Sequence, residues 1–322
     1  MKAREERKAA REKKRSDKEE RLGKMPEQLI VPKGTDPLEV TTRYLEPANH
    51  VLRDMWKHCP AFLVCGGPSI NGLDLSPLRH PAVCSMGVNN VAGYAPVKSF
   101  VFSDPIEKFH HGIFLNPGIM KFAPHKKLNH RVRAKRPDGV FEFTRLRGGD
   151  FPNIFGFKRN SEWDPEQFLT SREASWGCGK VCAARLNREN VLFTPLLGIR
   201  LLHYLGVPRI YLLGVDFKMM SGETGGYAFN QGRTSGAASS NNIHYKRVNS
   251  MLIELRPVLE AAGLTVLNCN PESHCSAFDY YPYEDAVEDC LAMMPPEPYD
   301  LSGFYEKDQR KSPMEDDEED RE

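Results

Sequence analysis

No stretch of this 322-residue chain approaches the roughly 20 apolar residues that a bilayer-spanning helix needs, and no signal-like hydrophobic segment follows the basic N-terminus. A cytoplasmic location and no membrane span are therefore expected. Neither sign of charge is in excess. Lys and Arg number 44 against 43 Asp and Glu, so the formal net charge is +1 and no global field selects a polyanionic partner. Cys-x-x-Cys is absent, and eight cysteines in so long a chain do not make a disulfide framework. Cys65, Cys84, Cys182 and Cys269 stand in apolar contexts typical of small buried residues. Cys178 and Cys182 lie four apart with His203 downstream but lack a second ligand pair, so no metal site is expected. No internal repeat is visible.

What is present is unevenly placed. Residues 2–24 hold eleven Lys/Arg against six Asp/Glu, and residues 315–322 hold seven acids against one Arg. Residues 1–25 are expected to be a charged tail or isolated helix, and residues 295–322 an acidic tail. Between them, 26–294 are expected to form a single α/β domain, since a hydrophobic content of 40% suffices for a substantial core.

Two apolar runs end in chemically loaded turns. Residues 210–216 (Ile-Tyr-Leu-Leu-Gly-Val-Asp) read as a buried parallel strand delivering a carboxylate, and residues 61–66 run into Gly67-Pro68-Ser69. In open α/β sheets the carboxyl ends of the strands border the ligand crevice. Further strands are expected at 82–86, leading to Asn89-Asn90, and at 99–102, leading to Ser103-Asp104-Pro105. A possible short helix lies around 41–57. Residues 106–190 mix aromatics, prolines and charges with little period and are expected to be an insertion or lid with short strands. A leucine stripe after Thr194-Pro195, stopped by Gly206, predicts a helix, followed by the strand at 209–215. A Gly-rich loop over 221–242, a helix from His244 to about 262 and a strand at 264–269 complete the pattern.

The Gly66-Gly67-Pro68-Ser69 turn offers close backbone approach, amide groups and a hydroxyl to an anion, or is simply a tight strand exit; it is neither a P-loop nor a Gly-x-Gly-x-x-Gly fingerprint. Asn89 and Asn90 suit a nucleobase, ribose or phosphate, or an Asx turn. Asp104 either faces the crevice or caps a helix beginning at Pro105, and Asp216 has the same two options. Neither acid belongs to an Asp-x-Asp metal motif. His244, at an expected helix start, would be held neutral by the positive end of the helix dipole and so suited to accept a proton. The stretch 125–136, with Lys126, Lys127, Arg131 and Arg133, would meet an anionic acceptor, or is a solvated loop.

The order of these elements resembles the bacterial lipooligosaccharide sialyltransferases and the related motility-accessory-factor proteins. The family's opening Gly-Asn-Gly-Pro-Ser is similar to Cys65-Gly66-Gly67-Pro68-Ser69, and its later strand ends to Asn89 and to Asp104-Pro105. Downstream, its Leu-Gly, strand, Gly-Ile-Asp-Phe, Tyr-Ala-Phe, Ser-His-Tyr and Cys-Pro-Asn are similar to Leu205-Gly206, residues 210–217, Tyr227-Ala228-Phe229, Ile243-His244-Tyr245 and Cys269-Asn270-Pro271. The resemblance spans roughly 61–272, outside most of the insertion. It implies a Rossmann-like, mostly parallel sheet, a GT-A-like variant with a lid-like insertion. It also implies a nucleotide-activated sugar donor, CMP-linked in that family, and an inverting transfer that requires no metal or other cofactor.

By that resemblance Gly66, Gly67, Pro68, Ser69, Asn89, Asn90, Ser103, Thr194 and Asp216 would hold the donor nucleotide, and Tyr227 would stabilise the leaving phosphate. The chain departs from the family at Gly66 and Asp104, where asparagines are expected, at Lys218 in place of a phosphate tyrosine, and at Val248 in place of the catalytic His. Lys218 would neutralise the same phosphate charge, and His244, or next Asp104, would be the base. Donor sugar, base, acceptor and oligomeric state stay open, the acceptor being a glycan, a protein or a modified base in DNA. Two alternatives remain: a pterin-pyrophosphokinase-like transferase using ATP and magnesium through Asp104 and Asp216, and a non-enzymatic nucleotide- or nucleic-acid-binding protein.

Overall fold

Four successive apolar residues, Ala61–Val64, are all fully buried, which is the pattern of a strand covered on both faces rather than one. In the computed structural model, which describes residues 36–42, 46–219, 226–229 and 235–292, this segment is central to an eight-stranded sheet. The two charged tails and residues 221–225 and 230–234 of the Gly-rich loop lie outside the described residues.

The strands in chain order are β1 (Val40–Thr41), β2 (Ala61–Val64), β3 (Cys84–Val88), β4 (Ser99–Val101), β5 (Met120–Pro124), β6 (Arg131–Lys135), β7 (Phe141–Arg147) and β8 (Ile154–Phe157). They continue as β9 (Arg159–Asn160), β10 (Ala174–Ser175), β11 (Gly177–Cys178), β12 (Val191–Leu192), β13 (Arg209–Leu213) and β14 (Thr265–Asn268). The main sheet runs β1-β8-β5-β4-β3-β2-β13-β14. All its pairings are parallel except the antiparallel edge β1–β8. From β2 the chain moves outward through β3, β4, β5 and β8, then returns to place β13 on the other side of β2. The order of the sheet reverses between β2 and β13, and such a switch point leaves a crevice at the carboxyl ends of the two strands.

Side chains alternate between two cores. Ala61, Leu63, Ile210 and Leu212 face a core filled by the helices Thr194–Tyr204 and Ser235–Ala261, through Leu197, Leu201, Leu252 and Leu255. Phe62, Val64, Tyr211 and Leu213 face the other, which holds Phe100, Phe102, Phe114 and the helix Tyr283–Leu291. This period of two is what a pleated strand imposes when both faces are covered.

The insertion expected over 106–190 is not an excursion from the sheet: β5 and β8 are two of its central strands. What projects from it is the antiparallel ribbon β6–β7. The signal was obscured by Lys121, a cation in the middle of β5. It is fully buried, and its ammonium donates to the carbonyls of Asn116, Ile119 and Pro152 at 2.6, 2.8 and 2.9 Å. Burial pushes this amine down to about 8. In place of the helix expected over 41–57, the described residues give β1 and the single turn Asn49–Leu52. The final long helix begins at Ser235, well before His244.

Candidate active site

β2 ends at Cys65-Gly66-Gly67 and β13 at Gly214-Val215-Asp216, and the two exits lie against each other. Cys65 N–H donates to Leu213 O at 2.7 Å and Gly67 N–H to Gly214 O at 2.9 Å. A Cβ added at Gly67 would stand 2.5 Å from Gly214 O and 2.6 Å from Asp216 Oδ2, so only glycine fits there. The meeting of two strand exits demands a glycine here, which is the strand-exit reading of the two that the sequence offered.

Beyond these exits opens a cleft of about 550 Å³. Its walls include Gly66, Gly67, Asn89, Asn90, Asp104, Thr194, Asp216, Lys218, Tyr227 and His244, so ten of the sequence-predicted site residues from seven separate segments share one cavity. Asn89 holds a left-handed backbone (φ +54°), which turns the chain immediately after β3 and is tolerated by Asn better than by most residues. Thr194 is the first residue of the helix Thr194–Tyr204, so the positive end of its dipole borders the cleft; Pro195 brings no N–H, and Leu196 N–H donates to Phe193 O at 3.1 Å.

Pro68 and Ser69 are not part of the wall. Ser69 instead supports it, donating its N–H to Asp216 Oδ2 at 3.0 Å and its hydroxyl to Asp216 Oδ1. Asn270 Nδ2 donates to the same Oδ1 at 2.9 Å. Ser103 is buried, is not part of the wall either, and accepts from Arg159, whose guanidinium lies 3.6 Å over the Trp176 ring.

Asp104 does not cap the following turn, whose N-terminal residue is Pro105 and which has no side-chain cap. It faces the cleft, is largely exposed, and lies 3.5 Å from Lys108. Lys127 and Arg159 are close by: burial lowers the Lys127 ammonium, the Arg159 and Lys126 charges lower it further, and Asp104 opposes them. The acid thus sits in a surplus of positive charge, which removes much of its repulsion towards a phosphate.

His244 lies in the third turn of the helix Ser235–Ala261, so the expected dipole argument at a helix start does not apply. Its pKa is nonetheless lowered, chiefly by burial, with Arg247 adding to the effect and the Leu192 carbonyl opposing it. Nε2 is 3.0 Å from Leu192 O. A carbonyl only accepts, so Nε2 carries the proton and Nδ1 holds the lone pair in the neutral ring. Val248, one turn on, is fully buried among apolar side chains and takes no part in the cleft.

Two aromatic pairs frame the cavity, and of their four rings the sequence had given a role only to Tyr227. Phe217 and Tyr245 stack in parallel with centroids 5.3 Å apart, and Tyr227 stacks on Phe229 at 5.4 Å. Ala228 N–H donates to Gly66 O at 2.9 Å and holds the second pair over the β2 turn. Lys108 was foreshadowed only by its spacing of four from Asp104, and Arg159 by nothing in the local sequence.

Of the expected acceptor residues, Arg133 is ion-paired to Glu107 at 2.5 Å, and Arg131 donates to Thr144 O at 3.1 and 3.2 Å; both belong to the ribbon. Lys126 is exposed and Lys127 half-buried on the short helix His125–Asn129. Among the described residues, no group of three His, Cys, Asp or Glu side chains is arranged to hold a metal ion, and no helix is long and apolar enough to cross a membrane. Comparison with known proteins finds no matching family model, no matching curated protein and no matching solved structure.

Proposed function

We propose that the chain is a glycosyltransferase that moves a sugar from a nucleotide-activated donor to a hydroxyl acceptor. The observation that carries this reading is the convergence of four strand exits and one helix N-terminus on a single cleft at the switch point of a parallel sheet, beside a neutral histidine. The Gly66 amide and the helix N-terminus at Thr194 would take the phosphates, Asn89 and Asn90 the base or ribose, and the stacked aromatic pairs the flat face of the nucleobase.

The transfer is a single displacement with inversion. His244 accepts the proton of the acceptor hydroxyl, whose oxygen attacks the anomeric carbon as the bond to the donor phosphate breaks. Lys218 and Tyr227 stabilise the departing phosphate. This assignment calls on no metal. In the ATP and magnesium alternative Asp104 and Asp216 would be ligands, yet both Asp216 oxygens already receive hydrogen bonds. The acceptor enters past Asp104, where Lys126, Lys127, Arg131 and Arg133 give an anionic molecule a favourable approach.

A thermal-shift panel of nucleotides and nucleotide sugars, with and without magnesium, tests the reading. A ligand at about 100 times its dissociation constant adds roughly 2.7 kcal/mol of stability. Stabilisation by a nucleotide sugar without magnesium is the expected result. Stabilisation by ATP only with magnesium would transfer the site to diphosphate chemistry.

A further inference from the structure

The ribbon β6–β7 carries two exposed aromatic rings, Phe141 and Phe143, that the proposed sugar transfer does not use. Arg131 pairs with Arg147, Arg133 with Phe143 and Lys135 with Phe141, and the tip closes through Arg136 N–H to Val140 O at 2.9 Å with Gly139 at φ +85°. The Val132 face is buried in the core, which fixes the ribbon's root. On the other face the Arg131 guanidinium lies 5.5 Å from the Phe143 ring centroid, and that of Arg133 lies 5.6 Å from Phe141. Phe143 is 60% exposed and Phe141 46% exposed. Residues 125–147 hold eight Lys/Arg against two acids. The ion pair of Arg133 with Glu107 ties this face to the turn Ile106–Lys108, whose Lys108 lines the cleft.

We propose that the Arg–Phe face of this ribbon binds single-stranded nucleic acid. Each half-exposed ring leaves apolar surface in water, and a flat ring interleaved with guanidiniums covers it by stacking on an unpaired base while the cations meet the backbone phosphates. A duplex hides its base faces inside its own stack and offers the rings nothing. A membrane-inserting ribbon would carry an uncharged apolar tip, whereas here the tip holds the Arg136–Asp138 ion pair beside Val140. That the bound strand is also the acceptor rests on the reading of the cleft as a donor site; the binding itself does not.

The test measures fluorescence anisotropy of a labelled oligothymidylate of about 20 nucleotides with the full chain, against the matched duplex and anionic phosphatidylserine vesicles. The parent binds the single strand more tightly than the duplex. Phe141→Ala combined with Phe143→Ala weakens binding at least tenfold at fixed salt, since each stacked base contributes a five- to hundredfold factor, roughly. Phe143→Tyr, which keeps a stacking face, stays within about threefold of the parent. Arg145→Gln combined with Arg147→Gln flattens the slope of log affinity against log salt by about 1.4. No oligonucleotide binding at low salt, duplex binding as tight as single-strand binding, an unchanged affinity in the Phe pair, or binding to vesicles alone would each overturn the proposal. Nucleotide-sugar stabilisation measured on the same proteins keeps the two readings apart: strand binding without it leaves the ribbon standing and removes the donor site.

Discussion

Ser69 and Asp216, 147 residues apart in the chain, are joined by two hydrogen bonds: the Ser69 amide and hydroxyl each donate to one oxygen of the Asp216 carboxylate. This clasp locks the exit of β2 to the exit of β13 and gives the floor of the cleft its shape. Asp216 is thus a positioning residue as much as a lining one.

Replacing it tests that role. Asp216→Ala leaves the Ser69 amide and hydroxyl and the Asn270 amide without their common acceptor, and is expected to cost about 1–3 kcal/mol in urea unfolding. Nucleotide stabilisation is expected to be lost as well. Ser69→Ala removes one bond and has the smaller effect on both readouts. A cleft that binds nucleotide normally in Asp216→Ala would show that the clasp does not shape it.

The two glycines of the turn are expected to respond differently. At Gly67 a methyl group collides with Gly214 O and the Asp216 carboxylate, so Gly67→Ala lowers stability whether or not ligand is present. At Gly66 the new methyl meets the Tyr227 and Phe229 rings at 3.1 and 3.2 Å, which shift more easily than backbone. Gly66→Ala therefore keeps most of the stability and weakens nucleotide binding. Calorimetry with and without ligand separates the two patterns.

His244→Ala is expected to lower turnover by about two to four orders of magnitude while donor affinity stays near the parent's. Because burial holds this imidazole below its ordinary value of 6.5, the parent's rate is flat above neutrality and falls on the acid side only below that value. The acid limb disappears in the variant. Turnover within a few-fold of the parent would move the base to Asp104.

Folding stability is expected to share that acid sensitivity. His244 and His125 are both lowered chiefly by burial, and His125 Nε2 is hydrogen-bonded to Thr41 Oγ1 at 2.7 Å. The unfolded chain binds these protons more readily than the folded one, so the stabilisation is complete above about pH 6.5 and is lost as the pH falls towards the lower folded values. Urea titrations from pH 8 to 5 show a falling midpoint, and the combined His125→Gln and His244→Gln variant shows a flatter one.

The thiols give a test of the core. Cys59 is half-buried, and the other seven cysteines are buried. Burial pushes Cys84, Cys269 and Cys290 up to about 12 and Cys275 up to about 11, where thiolate is scarce at neutral pH. Maleimide labelling followed by mass spectrometry is expected to modify Cys59 in the folded protein and the rest only in denaturant.

Several elements could be read directly from the sequence because their physics is local. β2 and β13 are apolar runs ended by Gly-containing turns, and the helix Thr194–Tyr204 has its Pro near the start and Gly206 in the left-handed region (φ +87°) just past its end. Those signals placed Gly67, Asn89, Asp104 and Asp216 at strand ends, and strands of one parallel sheet bring their ends to one side.

Tertiary structure decided the rest. β5 contains Lys121, a charge that disqualifies it as a buried strand until two carbonyls of the preceding turn, Asn116 and Ile119, and the distant carbonyl of Pro152 gather around the ammonium. Residues 235–242, Ser-Gly-Ala-Ala-Ser-Ser-Asn-Asn, have the composition of a loop. They are helical because Ala238 is buried and Asn242 exchanges hydrogen bonds with the Met219 backbone, and that placed His244 in the third turn of a helix rather than at its start. Composition and periodicity report the preferences of neighbouring residues. The clasp of Ser69 on Asp216, the cations around Asp104 and the neutral His244 arise from groups that meet only after the sheet has closed the long separations between them, where burial and pairing outweigh local propensity.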